Sequence, residues 1–466
     1  MHVRRYEQQT IFDLIMKNII SDFKDLRMPP VLERMDAILD DGELVAIVHA
    51  ALGRRATKSR TLGRPSTPSE VVLRLLVLKH LFDWTYAMLE QEVRGSLVYR
   101  QFARIGCERV PDEKSMIRLA NAIGEETLRQ IHERIVSIAR EERVVRGTKM
   151  RVDTTVVETN VKYPTDSRLL GDAVRVMTRK AHRLAAALKR KPIRGRQRSV
   201  NRRLFEIALS ARGGGAQKEQ RRKQLYRGLL EITQRVIHDS EQVLKAASRA
   251  LRGAAKEASH KLIGGLRQIV KVARGIVKQT RTRIMGGDVH YGDKILSIFE
   301  PHTEAIRKGK ASKPTEFGKM VKIQEAENQI ITDYVVEKTR RPDTELLLPS
   351  IEAHKRHFGR APRLVAADAG FYSASNVEAA TAAGVKFVAI PKRGKCSAAT
   401  RAKQRGRQFR RAQAWRTGCE GKISILKRAR GMRRCRNRGM AGMQRSVALG
   451  AISENLWQIA KQTMNR

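Results

Sequence analysis

The stretch "GTKMRVDTTVVETN", residues 147–160, decides how this chain folds. The residues before it read as helix. Within it β-branched residues dominate, and Val152, Thr154 and Val156 alternate with Asp153, Thr155 and Val157, the period of a strand. A strand cannot stand alone, because its backbone N–H and C=O groups need partners. Further strand-like runs come only after a long helical block: "KILSIFE" (294–300), "KMVKIQEAE" (319–327), "QIITDYVVEK" (329–338), "RLVAADAGFY" (363–372) and "KFVAIP" (386–391). The second and third of these are expected to pair as a hairpin. Strands on both sides of a helical block predict one α/β domain interrupted by an insertion, rather than two separate α/β lobes.

Charge sets the class of partner. The 466 residues carry 94 Lys and Arg against 47 Asp and Glu, a net +47 with a pI near 11.0. An apolar fraction of 41% is ample for packed cores, which excludes a disordered polybasic tail. So much positive charge opposes compaction unless a polyanion neutralises it. Double-stranded DNA, with one negative charge per ~1.7 Å of axis, is the partner this predicts. A ribosomal or membrane-surface role is the alternative, and no amphipathic lipid-binding helix supports the latter. The four cysteines (107, 396, 419 and 435) form neither CxxC nor zinc spacing, so a reduced, cytoplasmic, nucleoid-associated setting is expected. "HVRRYEQQTIFDLIMKNII" (2–20) is interrupted by Asp13 and Lys17 and is not read as a signal peptide. No run of 18 apolar residues predicts a membrane span.

Residues 1–145 read as an all-helical N-terminal domain for DNA binding or assembly. Inside it, "STPSEVVLRLLVLKHLF" (66–82) predicts a helix with Thr67 as N-cap, Pro68 in the first turn and Glu70 closing a capping box. That helix is apolar nearly all round and is expected at the centre of its domain. The α/β domain is assigned 146–165 plus 286–438, with a helical insertion at 166–285 and a closing amphipathic helix over 439–466. The insertion carries 31 basic and 8 acidic residues, an excess of 23, and its only aromatics are Phe205 and Tyr226. Base stacking is therefore a poor fit and tracking a phosphate backbone a better one. The insertion is expected to clamp DNA.

Three acids stand out. Aspartate is disfavoured in strands, yet Asp153 lies in one short apolar strand and Asp368 ends another. Side by side in one sheet they would repel unless cations filled the gap. Oxygen ligands suit Mg²⁺ or Mn²⁺. A third carboxylate from a neighbouring helix would complete a site for two ions ~3.5–4 Å apart, the arrangement for in-line attack at phosphorus. Glu420 is the candidate, the only acid among twenty Lys and Arg from 379 to 453. On a helix, Gln413, Arg416, Glu420 and Lys427 share a polar arc beside an apolar stripe of Ala412, Trp415, Cys419, Ile423 and Leu426. The competing reading is a surface ion pair between Arg416 and Glu420, worth a few tenths of a kcal/mol.

The segments "RVDTTVVETNVKYPTDSRLL", "RLVAADAGFYSASN" and "WRTGCEGKISILKRARGMRRCRNRG" resemble the three motifs of bacterial insertion-sequence DDE transposases, most closely the ISNCY-type group. The third motif of that family reads Y-x2-R-x3-E-x6-K. Arg416, Glu420 and Lys427 fit it, and Gln413 stands where the Tyr is expected. The resemblance implies an α/β fold with an RNase H-like mixed-sheet catalytic domain. It implies Asp153, Asp368 and Glu420 as catalytic ligands of two Mg²⁺ or Mn²⁺ ions, and Arg416 and Lys427 as contacts to transposon-end DNA. It implies a transposase that cleaves at terminal inverted repeats and joins the freed 3′-hydroxyl to target DNA, working as a homodimer or higher synaptic oligomer. An RNase H-like nuclease without strand transfer and a non-catalytic basic DNA-binding protein stay open beside it.

Other polar groups receive plainer readings. Glu325 and Glu327 in the expected hairpin are read as solvated, and His354 and His357 as a surface pair. Ser375 with Glu378 is read as the cap of a helix ending at Gly384, and the residues after "KFVAIP" as a basic loop.

Overall fold

The computed structural model describes residues 3–5, 26–54, 66–210, 215–250, 256–288, 290–292, 294–307 and 314–464. Most of 2–20, and residues 211–214 at the glycine-rich break, lie outside them. The chain divides into two compact units, one of residues 1–160 with 306–466 and one of residues 161–305.

Among the described residues of the first unit, seven helices precede the sheet: α1 Pro30–Ile38, α2 Gly42–Gly53, α3 Ser69–Leu81, α4 Tyr86–Gly95, α5 Leu97–Phe102, α6 Glu113–Ala122 and α7 Glu125–Glu141. All thirteen residues of α3 are buried, as a helix apolar nearly all round predicts. Its start differs from the expected capping box. The N-cap is Pro68, with no side-chain cap, and Glu70 instead pairs with Arg5 at 2.5 Å. Buried Arg74 is held by Asp36 and Asp40, each at 2.9 Å, and its remaining donors reach the backbone carbonyls of Asp36 and Leu39.

The strands are β1 Lys149–Thr159, β2 Glu304–Ile306, β3 Glu316–Glu325, β4 Ile331–Val336, β5 Leu364–Ala367, β6 Phe387–Ala389 and β7 Arg434–Cys435. They form one mixed sheet of order β2-β3-β1-β5-β6, with β4 on β3 and β7 on β1. β3 runs antiparallel to β1 and β4 antiparallel to β3, so the expected hairpin is present. β5 runs parallel to β1, and β6 parallel to β5. β1 is central and buried on both faces, which its run of Val and Thr suits.

"KILSIFE" is not a strand. The Ile295 N–H donates to Gln279 Oε1 at 2.7 Å and the Ile295 carbonyl accepts from Gln279 Nε2 at 3.3 Å, so a side chain does a neighbouring strand's work.

Helices flank the sheet: α12 Leu347–Phe358, α13 Ala374–Ala382, α14 Ala398–Arg405, α15 Arg407–Ala429 and α16 Gly439–Met464, the four helices between residues 166 and 280 belonging to the other unit. Met150, Val152, Val365 and Ala367 pack with α12 and α13 on one face. Ala366 and Ala389 pack under Phe409 and Ala412 of α15 on the other. α12 ends at left-handed Gly359, as expected. α13 is capped by Ser373, which accepts the Asn376 N–H, and not by Ser375. The basic loop contains α14, capped by Ser397. The closing helix α16 is not amphipathic: every residue from Arg445 to Leu456 is buried. One side of it completes the core of the N-terminal helices and another packs on the sheet.

The second unit is helical: α8 Asp166–Ala187, α9 Gln197–Ser210, α10 Ala216–Ala250 and α11 Lys256–Thr280. Its core is built from the residues spaced by three and four along these helices, among them Leu170, Val174, Met177, Leu229, Val236 and Leu266. The outline is thus an all-α N-terminal region, a mixed-sheet domain and a large helical insertion after β1. Among the described residues no helix is long and apolar enough to cross a membrane.

Candidate active site

The last register pairs between parallel β1 and β5 are Arg151 with Ala366 and Val152 with Ala367. The next residue on each chain is an aspartate, Asp153 and Asp368. The two acids singled out in the sequence therefore follow neighbouring paired positions in the middle of the sheet. β5 stops there because Asp368 turns the chain: its Oδ1 accepts the Gly370 N–H at 2.9 Å. Asp153 accepts the Thr154 N–H at 2.7 Å.

α15 lies across the face on which Arg151 and Asp153 point, and three of its residues fasten it. The Gln413 amide donates to Ala389 O at 2.5 Å and to Ala367 O at 3.2 Å, the final carbonyls of β6 and β5. Arg416 Nη1 lies 3.7 Å from Asp153 Oδ2, and its Nη2 lies 2.8 Å from Glu420 Oε1. Gly418 has no side chain because the guanidinium of Arg151 fills that place. Arg151 in turn donates to Trp415 O and to Glu325 Oε2, both at 2.6 Å.

One guanidinium thus spans Asp153 and Glu420. Arg416 and Asp153 are 15% and 14% exposed and Glu420 is 58% exposed, so the Arg416–Glu420 pair is only partly at the surface. The stripe expected beside it is present, with Ala412, Cys419 and Leu426 buried and Trp415 and Ile423 half-buried. Burial, then the nearby Glu325 and Asp153 carboxylates, push the Cys419 thiol well above its usual range, which keeps it neutral and unreactive. Lys427 lies 3.9 Å from Glu316 at the start of β3.

A further acid is close by. Asp343 sits between β4 and α12, where Thr154 Oγ1 donates to its Oδ1 at 3.1 Å. A Cβ added at Gly370 would lie 3.1 Å from both Asp343 Oδ2 and Asp368 Oδ1. A side chain there would press on two carboxylates, and they would have to give by a few tenths of an ångström to admit it. Nothing in "RRPDTEL" marks Asp343 as more than a helix start. Among the described residues, no three His, Cys, Asp or Glu side chains gather closely enough to hold a metal ion. The carboxylates of Asp343 and Asp368 near Gly370 offer oxygen donors, the kind that Mg²⁺ or Mn²⁺ takes.

Three plainer readings are corrected. Glu325 is fully buried, because Arg151 lies opposite it in the β1–β3 register. Glu327 accepts the N–H groups of Gly147, Thr148 and Lys149 and so anchors the start of β1. Burial opposes its ionisation, but these bonds and that of the Thr148 hydroxyl hold its carboxyl below the usual range. His354 is fully buried, 3.0 Å from Gly147 O.

Comparison with known families agrees with this architecture. Residues 295–456 match the family described as "Transposase DDE domain", and residues 21–122 match "Transposase domain (DUF772)". These matches identify a DDE-transposase domain in this chain, preceded by a second transposase domain. The DDE match covers Asp368 and Glu420 and begins at residue 295, so Asp153 lies outside it. No curated protein and no solved structure matched the chain.

Proposed function

We propose that this protein is a DNA transposase of the ISNCY-type insertion-sequence group. It would bind the terminal inverted repeats of its element, hydrolyse a phosphodiester at each end and join the freed 3′-hydroxyl to target DNA. The observation that carries the reading is the placement of Asp153 and Asp368 directly after paired residues of neighbouring parallel strands, with Glu420 tied to Asp153 through Arg416. The strand order β4-β3-β1-β5-β6, antiparallel in the first two pairings and parallel in the last two, supports an RNase H-like catalytic domain.

Asp153, Asp368 and Glu420 would hold two Mg²⁺ or Mn²⁺ ions. Such ions, when bound, polarise the attacking water or 3′-hydroxyl and stabilise the leaving oxygen. The chain's own residues do the rest. Gln413 fixes the backbone immediately before Asp368. Arg416 screens the repulsion between Asp153 and Glu420 in the DNA-free protein, and its guanidinium suits a phosphate once DNA arrives. Lys427 offers a second cation to transposon-end DNA. Two ends must be held together, so the working form is a homodimer or a larger synaptic assembly in the cytoplasm, associated with the nucleoid.

The test is nicking of end-containing duplex in Mg²⁺ by Asp153→Asn, Asp368→Asn and Glu420→Gln. Changes in the surroundings of metal ligands cost about 10–100-fold, so loss of a ligand itself should exceed about a hundredfold while DNA binding survives. Undiminished nicking by all three variants would end the proposal. A joining assay with pre-cut ends separates a transposase from a nuclease without strand transfer.

A further inference from the structure

The insertion unit contains a cleft of about 690 Å³ between α10 and the segment from 194 to 203 that begins α9. Five arginines line it: 194, 196, 198, 203 and 235. Glu231 is the acid among its lining residues. The connection from α8 into this wall is pinned. The Ile193 carbonyl lies 2.8 Å from His182 Nε2, and Arg196 Nη2 lies 3.2 Å from Asp239. Arg203 donates to Ser199 Oγ at 2.6 Å and lies along α10 where Gly228 leaves room; a Cβ there would come within 2.9 Å of its Nε.

The remaining three cations are different. Arg194, Arg198 and Arg235 are exposed, and among the described residues they have neither an ion pair nor a hydrogen bond from the side chain. The Nε of Arg196 is buried without a hydrogen-bond partner among the described residues. Like charges around a concavity repel one another, and low-dielectric walls focus their field. With Glu231 as the acid among the lining residues, an entering anion relieves that repulsion. Arginine forks match phosphate oxygens two at a time. Of the two aromatics on this unit's helices, Phe205 is exposed and Tyr226 is buried; neither lines the cleft, which leaves no platform for bases.

We infer that this cleft grips the phosphate backbone of double-stranded DNA without reading its sequence. The inference rests on the transposase reading for the identity of the polyanion, but it assigns the grip to a surface outside the DDE domain match.

The experiment uses the full chain and a labelled random-sequence duplex, with affinity followed by anisotropy across a salt series. Each neutralised phosphate contributes about 0.9 to the slope of log K against log salt. The triple variant R194Q/R198Q/R235Q should therefore lower the slope by about 2 to 3, and Arg235→Glu alone by at least about 1. A control triple of exposed arginines, R168Q/R179Q/R267Q, should lower it by less than about 1. An unchanged slope in both cleft variants overturns the inference, as does an equal fall in the control, which would mean diffuse attraction. Loss confined to duplex RNA also overturns it. Asp153→Asn separates the two proposals. A cleft-dependent slope without Asp153-dependent nicking keeps the cleft and removes the transposase. Asp153-dependent nicking with an unchanged slope does the reverse.

Discussion

The two units treat their charges in opposite ways. In the sheet-centred unit, cations are drawn inside and matched: Arg74 with Asp36 and Asp40, Arg151 with Glu325, and Lys422 and Arg430 with Glu454. In the insertion unit, many cations are left in water. Arg168, Arg179, Arg194 and Arg267 are all exposed without an ion pair among the described residues. A buried pair fixes position, because separating its members leaves an uncompensated charge in a poor solvent. An exposed unpaired charge fixes nothing locally and acts at a distance on a polyanion. The first unit is thus built to hold a few atoms in place, and the second to present a field.

The largest effect that would break this contrast is expected at Glu454. Its carboxylate, in the middle of α16, is shared by Lys422 and Arg430 of the α15 segment. Glu454→Gln strands both cations and should lower unfolding stability by about 3–5 kcal/mol. Arg267→Gln in the insertion should change it by less than about 0.5 kcal/mol. Urea unfolding of the two variants reads the difference directly, and equal shifts would erase the distinction.

The next effect is a pH dependence carried by buried histidines of the first unit. Burial, helped by the charge of His357, pushes His132 down to about 4, and its Nε2 lies 3.0 Å from Ile331 O. The folded value is below the unfolded one near 6.5, so the unfolded chain binds the proton more tightly. The neutral ring's contribution is complete above pH 6.5 and is lost as pH falls toward 4. One such histidine should remove about 2 kcal/mol between pH 7 and pH 5. His354, also pushed down to about 4 by burial, acts in the same direction. His132→Asn should flatten the profile measured by urea midpoints; an unaltered profile would show that His132 does not carry the dependence.

The smallest effect sharpens the account of α15. Gln413→Leu removes both hydrogen bonds to the ends of β5 and β6, at about 1 kcal/mol each or less. It should raise the Mg²⁺ concentration needed for nicking by about tenfold while leaving the salt slope of DNA binding unchanged. A fall in the slope with normal Mg²⁺ response would make Gln413 a DNA contact instead.

Much of this was legible in the sequence, and the misses share a cause. β1 announced itself because eleven residues of mostly β-branched type have few other uses. Asp153 and Asp368 were conspicuous because a carboxylate in an apolar strand needs compensation. Glu420 stood out by isolation among cations. What failed were readings that depended on partners distant in sequence. Gln279 took the hydrogen bonds that "KILSIFE" would have given a strand. Arg151 buried Glu325, the start of β1 tied down Glu327, and contacts on all sides buried α16. Asp343 gave no signal, since its contacts with Thr154 and Gly370 exist only after the sheet has formed.

The central claim concerns where a divalent cation sits. Crystals of the full chain with end-containing duplex, soaked in Mn²⁺ and measured at the manganese edge, test it most directly. The account predicts anomalous density touching the carboxylates of both Asp153 and Asp368, with Arg416 turned toward phosphate. Duplex bound with no such density there, or manganese held by Asp343 while Asp153 stays on Arg416, would contradict it.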